Sequence, residues 1–168
     1  MKTYIYADTF YMPDATKGPG YLEINDGVFG QFSTEKPSDG SIIDYSRKQI
    51  APGLVDTHIH GFKGHDVMDN DVAGLNVIAE GILQGGVTSF LPTTLTASTE
   101  QLNDVCQTIG DHADQIKGAK IQGIFLEGPF FNEVYKGAQN PKYMGDPSVE
   151  KLAKWQELAK GKVKKIAI

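Results

Sequence analysis

Apolar and polar positions alternate along this chain with two different periods, and the change falls near Pro52. Before it, Tyr4-Ile5-Tyr6, Tyr21-Leu22-Glu23-Ile24, Val28-Phe29-Gly30-Gln31-Phe32 and Ser41-Ile42-Ile43-Asp44-Tyr45 read as short strands. Asn25-Asp26-Gly27 is the tight turn of a hairpin between the second and third of them. The Pro13 to Gly20 stretch and the polar Ser33 to Gly40 run read as loops. Residues 1–52 therefore predict a small antiparallel β (sandwich) segment.

After Pro52 the pattern switches to strands alternating with helices. Leu54 to His60 is a strand, and Val72, Leu75, Ile78, Ala79, Ile82 and Leu83 then recur at helical spacing until Gly85-Gly86 ends the helix. Val87 to Leu91 is the next strand, running on into Pro92-Thr93-Thr94. Ser98, with Gln101 three residues on, forms a capping box for a helix with Leu102, Val105, Cys106, Ile109, Ala113 and Ile116 inward. Lys120 to Glu127 is a third strand, and Gly128 to Gly145 a long loop. Asp146 as N-cap and Pro147 at the first helical position open a third helix, with Leu152, Trp155, Leu158 and Ala159 inward and Gly161 closing it. Val163 to Ile168 is a fourth strand. The fold class is α/β. Residues 53–168 read as three β/α units and a fourth strand, the first half of a (β/α)8 TIM-type barrel, with an open parallel sheet as the alternative.

The polar residues on these strands are not scattered. His58 and His60, Thr93 and Thr94, and Glu127 fall at the C-terminal ends of successive strands, the edge that carries chemistry in both architectures. Two residues apart on an extended segment, His58 and His60 share a face. Taken singly, histidines are more often satisfied polar residues, and a strand-end Glu is commonly a solvent-exposed terminator. Together, two imidazoles and a carboxylate suit Zn, Fe, Mn, Co or Ni better than Mg or Ca. A metal so held polarises a carbonyl or activates a water, which points to hydrolysis at a C–N bond. No general base is evident: Asp56 is expected to face away from the histidines, His65 and Asp66 read as loop structure or substrate contact, and His112 reads as surface.

Composition narrows the picture further. The chain has 168 residues, 40% of them hydrophobic and 22% charged, ordinary for a soluble domain with a sizeable core. A net charge of −5 argues against nucleic acid or an anionic membrane as partner. No run approaches a membrane span, and the N-terminus lacks the apolar region of a signal peptide. The single Cys106, on an apolar helical stripe, reads as a buried structural thiol; with no second Cys to pair, the chain fits the cytoplasm.

Ala51-Pro52-Gly53-Leu54-Val55-Asp56-Thr57-His58-Ile59-His60-Gly61 resembles the first-strand signature of the amidohydrolase superfamily. Gly86-Val87-Thr88-Ser89-Phe90-Leu91-Pro92-Thr93, Leu126-Glu127-Gly128-Pro129-Phe130-Phe131-Asn132 and Lys136-Gly137-Ala138-Gln139-Asn140-Pro141 resemble one family within it, the N-acetylglucosamine-6-phosphate deacetylases. The resemblance covers essentially the whole chain. It implies a divalent-metal hydrolase that converts N-acetylglucosamine 6-phosphate to glucosamine 6-phosphate and acetate in amino-sugar catabolism. It further implies Glu127 as a principal metal ligand, His58 and His60 as ligands of one or a second ion, and Gly137, Ala138, Gln139 and Asn140 at the sugar. Many members carry His at the place of Gln139; Gln still reaches a hydroxyl but does not titrate.

The family is more than twice this length and usually homodimeric. Its catalytic Asp, its other metal-binding histidines and most phosphate contacts belong to later strands, so no catalytic residue is assigned here and the chain is expected to be an inactive fragment. The competing readings are another amidohydrolase, dihydroorotase-like or adenine-deaminase-like, and a non-catalytic half-barrel that binds metal or a partner.

Overall fold

The computed structural model describes residues 2–168 and divides into two compact units, Met1–Pro52 and Gly53–Ile168. The first is a five-stranded sheet of β1 (Lys2–Tyr11), β2 (Thr16–Lys17), β3 (Gly20–Asn25), β4 (Val28–Ser33) and β5 (Ser41–Ile50). The β3–β4 hairpin turns through Asp26 and Gly27, whose φ angles of 49° and 80° are the left-handed pair that a two-residue turn with the twist of the strands requires. Ala7, Phe10 and Leu22 are its buried core, with the Phe10 and Phe32 rings edge to face at 5.4 Å.

The antiparallel expectation for this unit needs one correction. β1 pairs antiparallel with β2 and β3, but β5 runs parallel to β1 in the register Thr3↔Ser41 to Phe10↔Ile50. The polar stretch after β4 does not close a hairpin; it carries the chain back to the Lys2 end of the sheet before β5 begins. Alternation within β5 is the same for either direction, so direction was not readable from its residues.

The second unit is a parallel sheet with helices. Its elements are β6 (Leu54–Ile59), a ribbon of β7 (Gly61–Phe62) and β8 (His65–Asp66), α1 (Val72–Leu83), β9 (Val87–Thr94), α2 (Thr99–His112), β10 (Lys120–Ile121), β11 (Ile124–Glu127), α3 (Val149–Leu158) and β12 (Val163–Ala167). β6, β9, β11 and β12 are neighbours in that order, all parallel, with β10 continuing β11 against β9. Each helix thus returns the chain to the adjacent strand, and every strand's C-terminal end reaches the same edge.

The third strand is broken where the sequence predicts continuity. Its pairing with β9 runs Ser89↔Lys120 and Phe90↔Ile121 but then Thr93↔Phe125, so one extra residue is accommodated at Gln122-Gly123. At Gly123 a Cβ would come within 2.7 Å of the Lys162 carbonyl oxygen, so the incoming β12 excludes any side chain there.

Caps set the helix limits. Asp71 accepts from the N–H groups of Ala73 and Gly74 at the start of α1, and Ser98 and Gln101 form the reciprocal box at α2. For α3 the cap is Ser148, whose Oγ accepts from the Lys151 N–H, in place of the expected Asp146; Pro147 then precedes the cap. Both residue types cap well, and the one that reaches an N–H of the first turn defines the start. The core joins Ile78 and Ile82 of α1, Leu102, Val105 and Ile109 of α2, Trp155 of α3 and Phe90, Ile124 and Leu126 of the sheet. Leu83, expected inward, is 42% exposed at the end of α1.

Cys106 is fully buried in this core, and burial pushes its thiol up to about 12. The native chain is therefore expected to resist a thiol-specific reagent at pH 8 and to react fully in guanidinium; rapid native labelling would contradict the packing. Among the described residues no helix is long and apolar enough to cross a membrane.

Candidate metal centre

The strand ends bring His58, His60 and Glu127 into one cluster. His58 Nε2 lies 3.1 Å from Glu127 Oε1, His60 Nε2 lies 3.1 Å from Glu127 Oε2, and the two Nε2 atoms are 3.3 Å apart. Two-residue alternation on β6 and the residue following it gives the histidines their common direction, as the sequence predicts. Glu127 arrives on β11, across the intervening strand β9.

The surroundings define how each donor points. His60 Nδ1 is 3.1 Å from the Thr93 carbonyl oxygen, so this nitrogen carries the proton and donates it to the backbone. Nε2 is thereby turned to the Glu127 carboxylate. Thr93 is itself held, donating from Oγ1 to the Leu91 carbonyl and accepting from the Ile59 N–H. The His58 ring stands edge to face on Phe125 at 5.0 Å, and the Lys165 ammonium covers that phenyl ring at 3.9 Å from its centroid.

This donor set suits a divalent metal. Each histidine nitrogen faces a different oxygen of Glu127, and the separations of 3.1–3.3 Å are close to the roughly 3.3 Å between neighbouring donors around a tetrahedral ion with bonds of about 2.0–2.1 Å. Two imidazole nitrogens and one carboxylate fall one ligand residue short of a closed four-residue set.

A cleft of about 490 Å³ opens beside the cluster, lined by His60, Leu95, Glu127 and the 131–139 loop. Gly137, Ala138 and Gln139 of the expected sugar contacts line it. Asn140 does not; its side chain accepts from the Lys142 N–H and caps the short turn that follows. Gln139 lies within the cluster, donating from Nε2 to Glu127 Oε2 at 2.9 Å and accepting at Oε1 from the Thr96 N–H at 2.8 Å. The loop leaves the strand through Gly128 at φ 86°, where a Cβ would fall 2.1 Å from Thr96 Oγ1.

Asp56 has the parity of the two histidines, so alternation does not turn it away as expected; its carboxylate is engaged locally, accepting from the His58 N–H at 2.9 Å. Asp66 caps the turn at Val67–Asp69. From sequence, Thr93 is placed at this edge without a role, and Lys136 enters only as part of the 136–141 segment. The Lys136 ammonium lies in the cleft wall and donates to the Gly137 and Gln139 carbonyls. Lysine in a polar loop carries no periodic signal, and the role of Thr93 rests on a backbone carbonyl that any residue possesses.

The fold and site together are a parallel β/α sheet with two histidines and a glutamate gathered at its C-terminal edge. No family model matches the sequence. The chain is 33% identical over 160 residues to N-acetylglucosamine-6-phosphate deacetylase of Bacillus subtilis, an alignment covering 89% of this chain and 39% of that protein. It is 33% identical over 132 residues to N-acetylgalactosamine-6-phosphate deacetylase of Escherichia coli O157:H7, covering 78% of this chain and 34% of the relative. Among solved structures, N-acetyl-D-glucosamine-6-phosphate deacetylase from Mycobacterium smegmatis, a mutant in complex with N-acetyl-D-glucosamine-6-phosphate, superposes with a TM-score of 0.82 at 25% identity over 99% of this chain and 43% of that one. The chain is thus a homologue of the N-acetylglucosamine-6-phosphate deacetylases, spanning about 39% of the length of the first of these relatives.

Proposed function

We propose that this chain supplies the His-His-Glu part of the metal centre, and one wall of the sugar cleft, of an enzyme that hydrolyses N-acetylglucosamine 6-phosphate to glucosamine 6-phosphate and acetate. The observation that carries the reading is the cluster of His58 Nε2, His60 Nε2 and the two Glu127 oxygens, each oxygen 3.1 Å from one histidine, with the Thr93 carbonyl holding His60 Nδ1 so that Nε2 faces the carboxylate. The sequential order of the parallel strands supports the further reading that they are the first four of an eight-stranded barrel.

Bound between these residues, a divalent ion such as Zn, Fe, Mn, Co or Ni would polarise the acetamide carbonyl and lower the pKa of an attacking water. The chain's own groups do the holding. Glu127 and the histidines fix the position of that charge, and the 131–139 loop walls the cleft on the side where a sugar would lie. Proton transfer needs a further acid–base group, and Asp56 is committed to the His58 backbone. We therefore assign the general base, and most phosphate contacts, to the part of the enzyme that the relatives possess and this chain does not cover.

The test is a pair of preparations. The 168-residue chain with Zn²⁺ is expected to release no acetate above background, whereas a chimera in which it replaces the matching N-terminal portion of the Bacillus subtilis relative is expected to hydrolyse the substrate. Turnover by the chain alone would overturn the divided site, and an inactive but folded chimera would overturn the function. N-acetylgalactosamine 6-phosphate is the second reading, favoured by the Escherichia coli relative, and the same chimera assayed with both epimers decides between them.

A further inference from the structure

We propose that Gln139 is a positioning residue for Glu127: its carboxamide, tied to the backbone of Thr96, holds the carboxylate with one oxygen turned to each histidine. The inference rests on the metal-centre reading above and concerns a contact beyond the metal ligands themselves.

The orientation of this amide is dictated by its partners. The Thr96 N–H can only donate, so the Gln139 atom facing it at 2.8 Å is Oε1; an ionised Glu127 can only accept, so the atom facing it at 2.9 Å is Nε2. Neither end can be exchanged without placing two donors or two acceptors together. The backbone is held as well, since the Gln139 N–H donates to the Lys136 carbonyl at 3.1 Å and the Gln139 carbonyl accepts from the Lys136 ammonium at 3.3 Å. Thr96 is buried just beyond β9, so the anchor belongs to the framework rather than to the loop.

The consequence falls on Glu127. As the last residue of β11 its carboxylate could take several rotamers, and desolvation at the bottom of a cleft makes a charge-assisted hydrogen bond the means of selecting one. With Oε2 bound by Gln139 on one side, its remaining direction is toward His60 Nε2, and Oε1 is turned to His58. Gln139 thus joins three segments, the end of β9, the end of β11 and the 128–145 loop, at the point where the ligand geometry is made. The sugar contact expected from sequence would have to use what remains of an amide already engaged at both ends.

A role limited to anchoring the loop would alter stability and leave metal affinity alone, so affinity is the discriminating measurement. Zn²⁺ binding to the 168-residue chain is measured by competition with a chromophoric chelator, alongside thermal unfolding without metal. Gln139→Met, similar in length but unable to donate, is expected to weaken Zn²⁺ binding by about 10–100-fold, the range for loss of a partner that orients a ligand. Gln139→His is expected to restore affinity to within about fivefold, because the two imidazole nitrogens have nearly the spacing of the carboxamide oxygen and nitrogen and can accept from Thr96 while donating to Glu127. If Gln139→Met does not fold, Gln139→Asn, too short to reach both partners, takes its place with the same expectation. Equal affinity in wild type and a folded Gln139→Met would overturn the positioning role and leave the metal centre standing. No Zn²⁺ binding by the wild-type chain that Glu127→Ala removes would overturn both.

Discussion

Replacing Glu127 by alanine is expected to abolish measurable zinc binding by this chain. Loss of a residue that merely supports a ligand costs roughly 10–100-fold in affinity, so loss of the only carboxylate in the cluster should exceed about 100-fold. The remaining His58 and His60 nitrogens, 3.3 Å apart, offer two donors and no carboxylate to offset the charge of the ion. Linkage gives a second readout. At a zinc concentration near 100 times its dissociation constant the wild-type chain should gain about 2.7 kcal/mol of stability, visible as a raised Tm, and the Glu127→Ala chain should gain none. His112→Ala supplies the control. That imidazole is the last residue of α2, far from the strand ends, and its loss should leave zinc binding unchanged. A Glu127→Ala protein that still binds one zinc tightly would remove the cluster from consideration as a metal site.

The largest effect on stability is expected at Trp155. Its side chain, on the helix α3, is fully buried, with the Phe130 ring 5.7 Å away. Truncation to alanine should destabilise the second unit by about 3–5 kcal/mol, from lost apolar burial and the cavity left behind. One feature moderates this: among the described residues the indole Nε1 has no hydrogen-bond partner, so the native state already carries the cost of a buried donor. Trp155→Phe removes that donor and keeps most of the packing, and should cost less than about 1.5 kcal/mol. Urea unfolding followed by far-UV circular dichroism measures both, because neither variant retains the chain's single tryptophan as a fluorescent probe. A Trp155→Phe loss well above about 1.5 kcal/mol would mean that the indole N–H is satisfied after all.

Much of this architecture is a property of single segments, and those parts were legible in the residues. The helical spacing of Leu75, Ile78, Ala79 and Ile82, and the reciprocal caps of Ser98 and Gln101, need only the local chain. The Asp26-Gly27 turn is equally local, since it depends on which residues tolerate a positive φ. The common direction of His58 and His60 follows from strand parity, and their place at the chemical edge follows from the alternation of strands with helices.

What only the tertiary structure decided is everything that depends on where the chain returns to itself. The parallel direction of β5 and the one-residue slip between β10 and β11 are set by ladder pairing with other strands, and the residues of the strand itself are compatible with either outcome. The same holds at the site. The carbonyl that fixes the His60 tautomer belongs to Thr93, 33 residues away, and the amide that holds Glu127 is anchored at Thr96, 43 residues before it. Periodicity brings histidines and a carboxylate to one edge of a sheet. It takes the folded backbone, with its own donors and acceptors, to aim their lone pairs at a single point.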